Sequence, residues 1–342
     1  VSKIEFRNVY KNFPVKGKLF ERKELHAVKN MSFSIDEGHT LAVVGESGCG
    51  KTTLARLLMK LHEVSSGEIF VDGEPISTIR GKRAIRKFRS CIQMIFQDPF
   101  GSLNPAHETG QIISRAVSLH SADLKNEEIN NRVIALLELV GLTPAEDFIS
   151  KHPAQLSGGQ RQRIVIARAL AVNPSIIVAD EPTSMLDVSI GIDIMNLLLE
   201  LKEKQKLTMM YITHNLASAR YMADYMTVMY AGTCVEYGAI DEMISSPYHP
   251  YTILLLNSTP EPFRDKKLNL TAKEDAPDLI SGKPQCMYSA RCPKAESRCF
   301  TSEPPEYVFG KRRVKCFIYE NIRSIDVPPV NANIYTGAAN DN

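Results

Sequence analysis

The chain has 342 residues, 44% of them hydrophobic and 23% charged, with a net charge of +2. That is long enough for one large domain plus an appendage, and the near-neutral balance excludes any case for a nucleic-acid or acidic partner that rests on bulk charge. No apolar run approaches the roughly 18–20 residues needed to span a bilayer, and charge stands in Val1-Ser-Lys-Ile-Glu where a signal peptide would be apolar. The expectation is a soluble, cytosolic chain that reaches a membrane only through a partner.

Strand-like and helix-like segments alternate from residue 1 to about 255, the pattern of an α/β sheet with helices on its faces. Tyr10 and Phe13 come first, followed by a basic insertion from Lys16 to Lys23. Leu41 to Val44 is a short apolar run ending in Gly45-Glu-Ser-Gly-Cys-Gly-Lys51-Thr52, and Lys51 to Lys60 is helical in pattern. A glycine loop of this spacing between strand and helix is a phosphate cradle. Gly45, Gly48 and Gly50 free backbone N–H groups to face phosphate oxygens, and Ser47 and Thr53 complete the candidate nucleotide contacts. The helix N-terminus adds a positive dipole end. Lys51 supplies a point charge for the outer phosphates, and the Thr52 hydroxyl a ligand for magnesium.

Further on, Arg80 to Arg89 holds six basic residues in ten. It reads as a solvated helix face, with contact to anionic lipid headgroups as a second reading and nucleic acid as a third. Residues from about Thr109 to Val172 repeat apolar positions at helical spacing, as in Ile129 to Val140, and read as an inserted helical subdomain. Inside it lies Leu156-Ser157-Gly158-Gly159-Gln160-Arg-Gln, a second phosphate site in physical terms. Two glycines free the backbone, Ser157 offers a hydroxyl, and a helix from about Gln160 to Leu170 offers its N-terminus. Ile176-Ile-Val-Ala-Asp180-Glu181 is a buried strand ending in two acids. Asp180 suits magnesium, and Glu181 suits orienting an attacking water. Ile192 to Leu201 reads as core helix, while Met209 to Ile212 and Met226 to Tyr230 are further strands.

After about Pro247 prolines and polar residues rise, and four of the seven cysteines fall between Cys286 and Cys316. In a reducing compartment such a cluster points to metal rather than disulfides. Cys286-x5-Cys292-x6-Cys299-x16-Cys316 supplies four thiolates, enough for one tetrahedral zinc or one four-iron cluster. Cys49 occupies a variable position of the glycine loop, and Cys91 and Cys234 read as small buried apolar residues. Residues 327 to 342 lack a core pattern.

The glycine loop, the Asp180-Glu181 strand and the Leu156-Ser-Gly-Gly-Gln segment together resemble the nucleotide-binding subunits of ABC transporters. The resemblance implies a P-loop NTPase cassette, a RecA-like core with the helical subdomain at about 109–172, over residues 1–255. It also implies a small Cys-rich extension over 256–322, and the missing core pattern after it gives a disordered tail over 323–342 as the expectation. Two cassettes would close head to tail, each ATP lying between the P-loop of one and the signature (Ser157, Gly158, Gly159, Gln160) of the other. Gln97, in Ile95-Phe-Gln97-Asp-Pro, matches the Q-loop glutamine that contacts magnesium alongside Thr52 and Asp180. Ser184-Met-Leu-Asp187 matches the dimer-interface loop, and His214 the histidine that contacts the γ-phosphate. Glu181, His214 and Gln97 would form the catalytic set. Phe13 is the candidate for stacking on adenine, with Tyr10 its rival and a strand-edge core role the alternative. Met185 and Asn215 stand where alanine and aspartate are usual. With Glu181 and His214 present, hydrolysis is favoured over a regulatory or structural metal-cluster protein that binds ATP with negligible turnover.

Only one P-loop is present, no long coiled coil separates it from the signature, and no membrane domain is fused. This argues against translation-factor, chromosome-structure and exporter branches. Gln97-Asp-Pro-Phe-Gly-Ser-Leu-Asn-Pro105 and Ser246-Pro-Tyr-His-Pro-Tyr-Thr252 are similar to segments of dipeptide and oligopeptide importers, especially their second ATPase subunit. That similarity implies a non-identical partner cassette in a heterodimer, two transmembrane permease subunits, an extracytoplasmic binding protein and a place on the cytoplasmic face of the membrane. Oligosaccharide and nickel importers share the branch. The same resemblance favours a [4Fe–4S] cluster at the four cysteines, with Zn2+ the alternative.

Overall fold

The computed structural model describes residues 2–16, 22–120, 124–258, 279–280 and 282–321. Part of the basic insertion and the expected tail over 323–342 lie outside the described residues. In chain order the elements are β1 (Ser2–Lys16), β2 (Arg22–Asp36), β3 (Thr40–Val44), α1 (Lys51–Leu58), β4 (Ser66–Val71), β5 (Glu74–Pro75), α2 (Lys82–Cys91), β6 (Ile92–Ile95), α3 (Pro99–Ser102), α4 (Thr109–His120), α5 (Asn126–Leu139) and α6 (Glu146–Ile149). They continue with α7 (Gly158–Leu170), β7 (Ile176–Asp180), α8 (Val188–Gln205), β8 (Thr208–Thr213), α9 (Leu216–Met222), β9 (Tyr225–Tyr230), β10 (Thr233–Ala239), α10 (Ile240–Ser245), α11 (Pro250–Ser258), β11 (Glu306–Phe309) and β12 (Arg312–Lys315).

The chain divides into two compact units. One comprises Asp36–His39 and Ser77–Ile212. Its strands β6, β7 and β8 are parallel, with Ile92 opposite Ile176 and Ile176 opposite Thr208. Every residue of β7 and β8 is buried, as a parallel strand covered on both faces requires. Helices α4, α5 and α7 pack on one another, and α7 also meets α8. Helix α5 starts with Glu128 accepting the Lys125 N–H at 2.8 Å, and α8 stops at Lys206 in the left-handed conformation, φ 53°. In the basic helix α2 only Phe88 is buried; Lys82, Arg83, Arg86 and Lys87 are exposed to solvent, while Arg89 is half-buried. Cys91, expected in the core, is exposed at the end of this helix.

The other unit comprises the described residues of Ser2–Ile35, of Thr40–Ile76 and from Thr213 on. Its strands run in the order β5-β4-β1-β2-β10-β9-β3. In β1 the alternation of buried Ile4 and Phe6 with Glu5 and Arg7 sets the inner face, and Phe6 stacks on Phe33 with centroids 4.5 Å apart. The C-terminal segment joins this sheet. Strand β12 pairs antiparallel with β10, Glu236 opposite Val314, and β11 pairs with β12. Tyr288 is buried in the same cluster as Val44, Val228, Tyr230 and Tyr251. The joint is fixed by a buried ion pair. Arg312 donates to Glu236 at 2.6 Å and lies over the Tyr248 ring. Glu236 also accepts the Tyr248 and His249 N–H groups at 2.9 and 2.8 Å. No helix among the described residues is long and apolar enough to cross a membrane.

Candidate functional site

The glycine loop lies between β3 and α1, as its sequence context required. Gly50 stands at the N-cap of α1 with φ 106° and brings no side-chain cap, so the first N–H groups of the helix keep their donors for an anion. A Cβ on Gly50 would sit 2.3 Å from the Ala27 carbonyl oxygen, and one on Gly45 2.2 Å from that of Met229. Only glycine lets the loop lie this close on the sheet. Lys51 is buried and turned back along the loop, its Nζ donating to the carbonyls of Gly45 and Glu46 at 2.7 and 2.9 Å. Ser47 and Gly48 are exposed, and Thr52 and Thr53 are half-buried on the first turn of α1. Burial pushes the Cys49 thiol up, which keeps it neutral beside Lys51.

In the first unit, β7 delivers Asp180, buried, and Glu181 directly after it. Glu181 is non-glycine with φ 46°, a left-handed conformation that costs free energy and that collects at functional positions. Its N–H is anchored to the Ile212 carbonyl at 2.9 Å. Gln97, exposed after β6, donates from Nε2 to Glu181 Oε2 at 3.3 Å. Two residues 84 apart in sequence are thus joined, a contact the motifs alone did not give. Asp98 then caps α3 by accepting the Phe100 N–H at 2.8 Å.

The signature segment forms the start of α7, two residues earlier than its pattern suggested. Ser157 is the N-cap. Its Oγ accepts the Gln160 N–H at 3.2 Å while Gln160 Oε1 accepts the Ser157 N–H at 3.0 Å, a reciprocal capping box. Gly159 is buried where a Cβ would come within 2.6 Å of Ile190 Cγ2 on α8. The glycine therefore serves close packing as well as backbone exposure. Asp187 is exposed as the N-cap residue of α8, and Met185 is exposed beside it.

In the second unit His214 is exposed at the end of β8. Asn215 caps α9, its Oδ1 accepting the Ala217 and Ser218 N–H groups at 2.9 and 3.2 Å. Asparagine and aspartate cap equally well, which accounts for asparagine at this position. Phe13 is half-exposed on β1 with His62 edge-on to its ring at 5.3 Å and Lys11 Nζ 4.9 Å from its centroid. Tyr10 instead lines a cavity of 130 Å³ with Lys29, Cys286 and Glu303.

The four C-terminal cysteines are free thiols. The Cys286 N–H donates to the Cys299 carbonyl at 2.8 Å. Desolvation raises the thiol of Cys286 to about 11 and those of Cys292 and Cys316 to about 12. Yet no group of three or more His, Cys, Asp or Glu side chains among the described residues is disposed to hold a metal ion. The four-thiolate ligand set expected from the spacing is therefore not formed by the side chains as placed.

Comparison with known proteins agrees with this assembly of motifs. Residues 28–184 match the family model described as ABC transporter, and residues 235–299 match that of the oligopeptide/dipeptide transporter C-terminal region. The oligopeptide transport ATP-binding protein AppF of Bacillus subtilis is 40% identical over 323 residues, covering 92% of this chain and 97% of the relative. The dipeptide transport ATP-binding protein DppF of Escherichia coli is 37% identical over 309 residues, 90% of this chain and 91% of the relative. Among solved structures, the ATP-binding cassette MJ0796 bound to ADP and Pi is 30% identical with a TM-score of 0.61, covering 69% of this chain and 98% of that one. CbiO1 of Clostridium perfringens is 29% identical with a TM-score of 0.62, covering 71% and 91%. The chain belongs to the ABC ATPases, as an ATP-binding transporter subunit carrying the oligopeptide/dipeptide transporter C-terminal region.

Proposed function

We propose that this chain hydrolyses ATP to energise import of dipeptides or oligopeptides through two permease subunits, at the cytoplasmic face of the membrane. What carries the reading is the joint match of cassette and C-terminal region, over nearly the full length of relatives named for peptide transport. The uncapped N-terminus of α1, the loop N–H groups and Lys51 bind the triphosphate. Thr52, Gln97 and Asp180 are the oxygen donors that suit Mg2+, which when bound neutralises phosphate charge. Glu181 orients the attacking water and His214 contacts the γ-phosphate. Phe13 stacks on adenine. Ser157, Gly158, Gly159 and Gln160 face the ATP of a second, non-identical cassette across an interface that includes Asp187. Loss of the γ-phosphate releases that interface, which is how hydrolysis moves the permease.

The spacing of Cys286, Cys292, Cys299 and Cys316 supplies four thiols, a donor type that as thiolates suits a [4Fe–4S] cluster; as placed, the side chains do not gather into a ligand set, so the reading rests on the sequence. The cluster's role in this reading is to clamp the extension. Anaerobic purification should yield four irons and four sulfides per chain, lost in Cys292→Ser. Stoichiometric Zn2+, or no metal, would contradict it.

Cells lacking this chain should lose uptake of labelled di- and oligopeptides, and wild-type protein but not Glu181→Gln should restore it. Intact peptide uptake with loss of oligosaccharide or nickel uptake would move the cargo to those classes.

A further inference from the structure

The glycine loop is held on three sides, and one of them is the C-terminal segment. Its floor is the close approach of Gly45 and Gly50 to the Met229 and Ala27 carbonyls. Its interior is Lys51, bonded to the Gly45 and Glu46 carbonyls. The outer side is Glu46, which residues far along the chain grip twice. The Glu46 N–H donates to the hydroxyl of Tyr251, on α11, at 3.0 Å. The Glu46 carboxylate receives both terminal nitrogens of Arg291, at 2.9 and 3.0 Å, across 245 positions of sequence.

Neither grip is a loose surface contact. Tyr251 is fully buried, with Tyr230 and Tyr288 against its ring at centroid distances of 4.6 and 5.3 Å. Arg291 sits on a single turn, Ser289–Arg291, set between the buried Tyr288 and the half-buried Cys292. Its NH1 also donates to the Tyr230 hydroxyl at 3.5 Å. Side-chain exposure is 16% for Arg291 against 43% for Glu46, so the arginine is the fixed partner and the loop carboxylate is the one being held. The fork geometry constrains direction as well as distance. The charge balance has a consequence as well. A carboxylate on a loop that binds a polyanion opposes that anion, and Arg291 cancels it.

We propose that Arg291 is a positioning residue for the nucleotide loop: by pairing with Glu46 it fixes the loop and neutralises its one acidic side chain, so that the C-terminal extension sets the affinity for ATP. The proposal rests on Gly45–Thr52 being the nucleotide loop. Arg291 touches neither nucleotide nor water in this role, so its removal changes binding and leaves the chemical step alone.

The test is steady-state ATPase kinetics with Mg-ATP on the full chain in its native assembly. Arg291→Gln should raise KM for ATP about fivefold, the scale of a half-exposed but bidentate pair, with kcat changed less than twofold. Glu46→Gln combined with Arg291→Gln should be no worse than Glu46→Gln alone, because the second change removes a partner already gone. An unchanged KM in Arg291→Gln, a loss confined to kcat, or effects of the two changes that multiply would each overturn the proposal. Lys51→Ala separates the failures. Loss of nucleotide binding there with an unchanged KM in Arg291→Gln removes the Arg291 role only. Retained binding in Lys51→Ala removes the nucleotide-loop reading and this inference with it.

Discussion

Glu181 follows Asp180 at the end of β7, in a left-handed backbone conformation and in contact with Gln97. A carboxylate so oriented suits general-base or water-orienting work, which contributes about 10²–10⁴-fold. Glu181→Gln should therefore lower ATPase turnover by at least about a hundredfold while Mg-ATP binding by calorimetry stays near wild type. Turnover within a few-fold of wild type would place the chemistry elsewhere. Gly159 poses a packing question. A methyl group there meets Ile190 at 2.6 Å, so Gly159→Ala should destabilise the chain by about 1–3 kcal/mol, as overpacking does. Denaturant titration reads that loss, and Ile190→Ala in the same chain should recover part of it. The motifs spelled out the glycines, the lysine and the acid pair, because phosphate chemistry demands those residue types in one short stretch. They could not reveal that Gly159 also makes room for α8, since that depends on a neighbour brought in by folding.

At the scale of elements, the least foreseeable feature is the attachment of β11 and β12. Glu306–Phe309 and Arg312–Lys315 are short and carry no apolar run, and β10, the partner of β12, lies more than seventy residues upstream. Pairing of that kind leaves no local signal. The strand β3, the helix α1 and the helical subdomain were legible because each carries its own period and its own punctuation. The β10–β12 joint holds the buried Glu236–Arg312 pair, with side-chain exposures of 0% and 6%. Removing one partner strands a buried charge, so Arg312→Ala should cost about 3–5 kcal/mol in thermal or denaturant unfolding. A loss under about 1 kcal/mol would mean the pair is solvated. His249, next along, is fully buried and takes an N–H from Tyr251 on its Nδ1 at 3.0 Å. Burial lowers its pKa to about 3, whereas the unfolded histidine titrates near about 6.5. Stability from this site is complete above the unfolded value and is lost as pH falls from about 6.5 toward 3. Melting temperature should drop over that range, and His249→Asn, whose oxygen can accept the same N–H, should flatten the drop.

At the scale of the whole molecule, the ATP motifs are divided between the two compact units. The P-loop and His214 belong to one, and Gln97, Asp180, Glu181 and the signature to the other. In the proposed reading, a second cassette completes each site and so couples hydrolysis to the permease. The most direct test is ATPase activity of the chain purified with its partner cassette and permease subunits in lipid, with and without peptide-loaded binding protein. Hydrolysis should rise severalfold when the peptide-loaded protein is added, and should collapse in Glu181→Gln. Hydrolysis indifferent to peptide-loaded binding protein, or none at all from an intact assembly, would contradict the proposed reading.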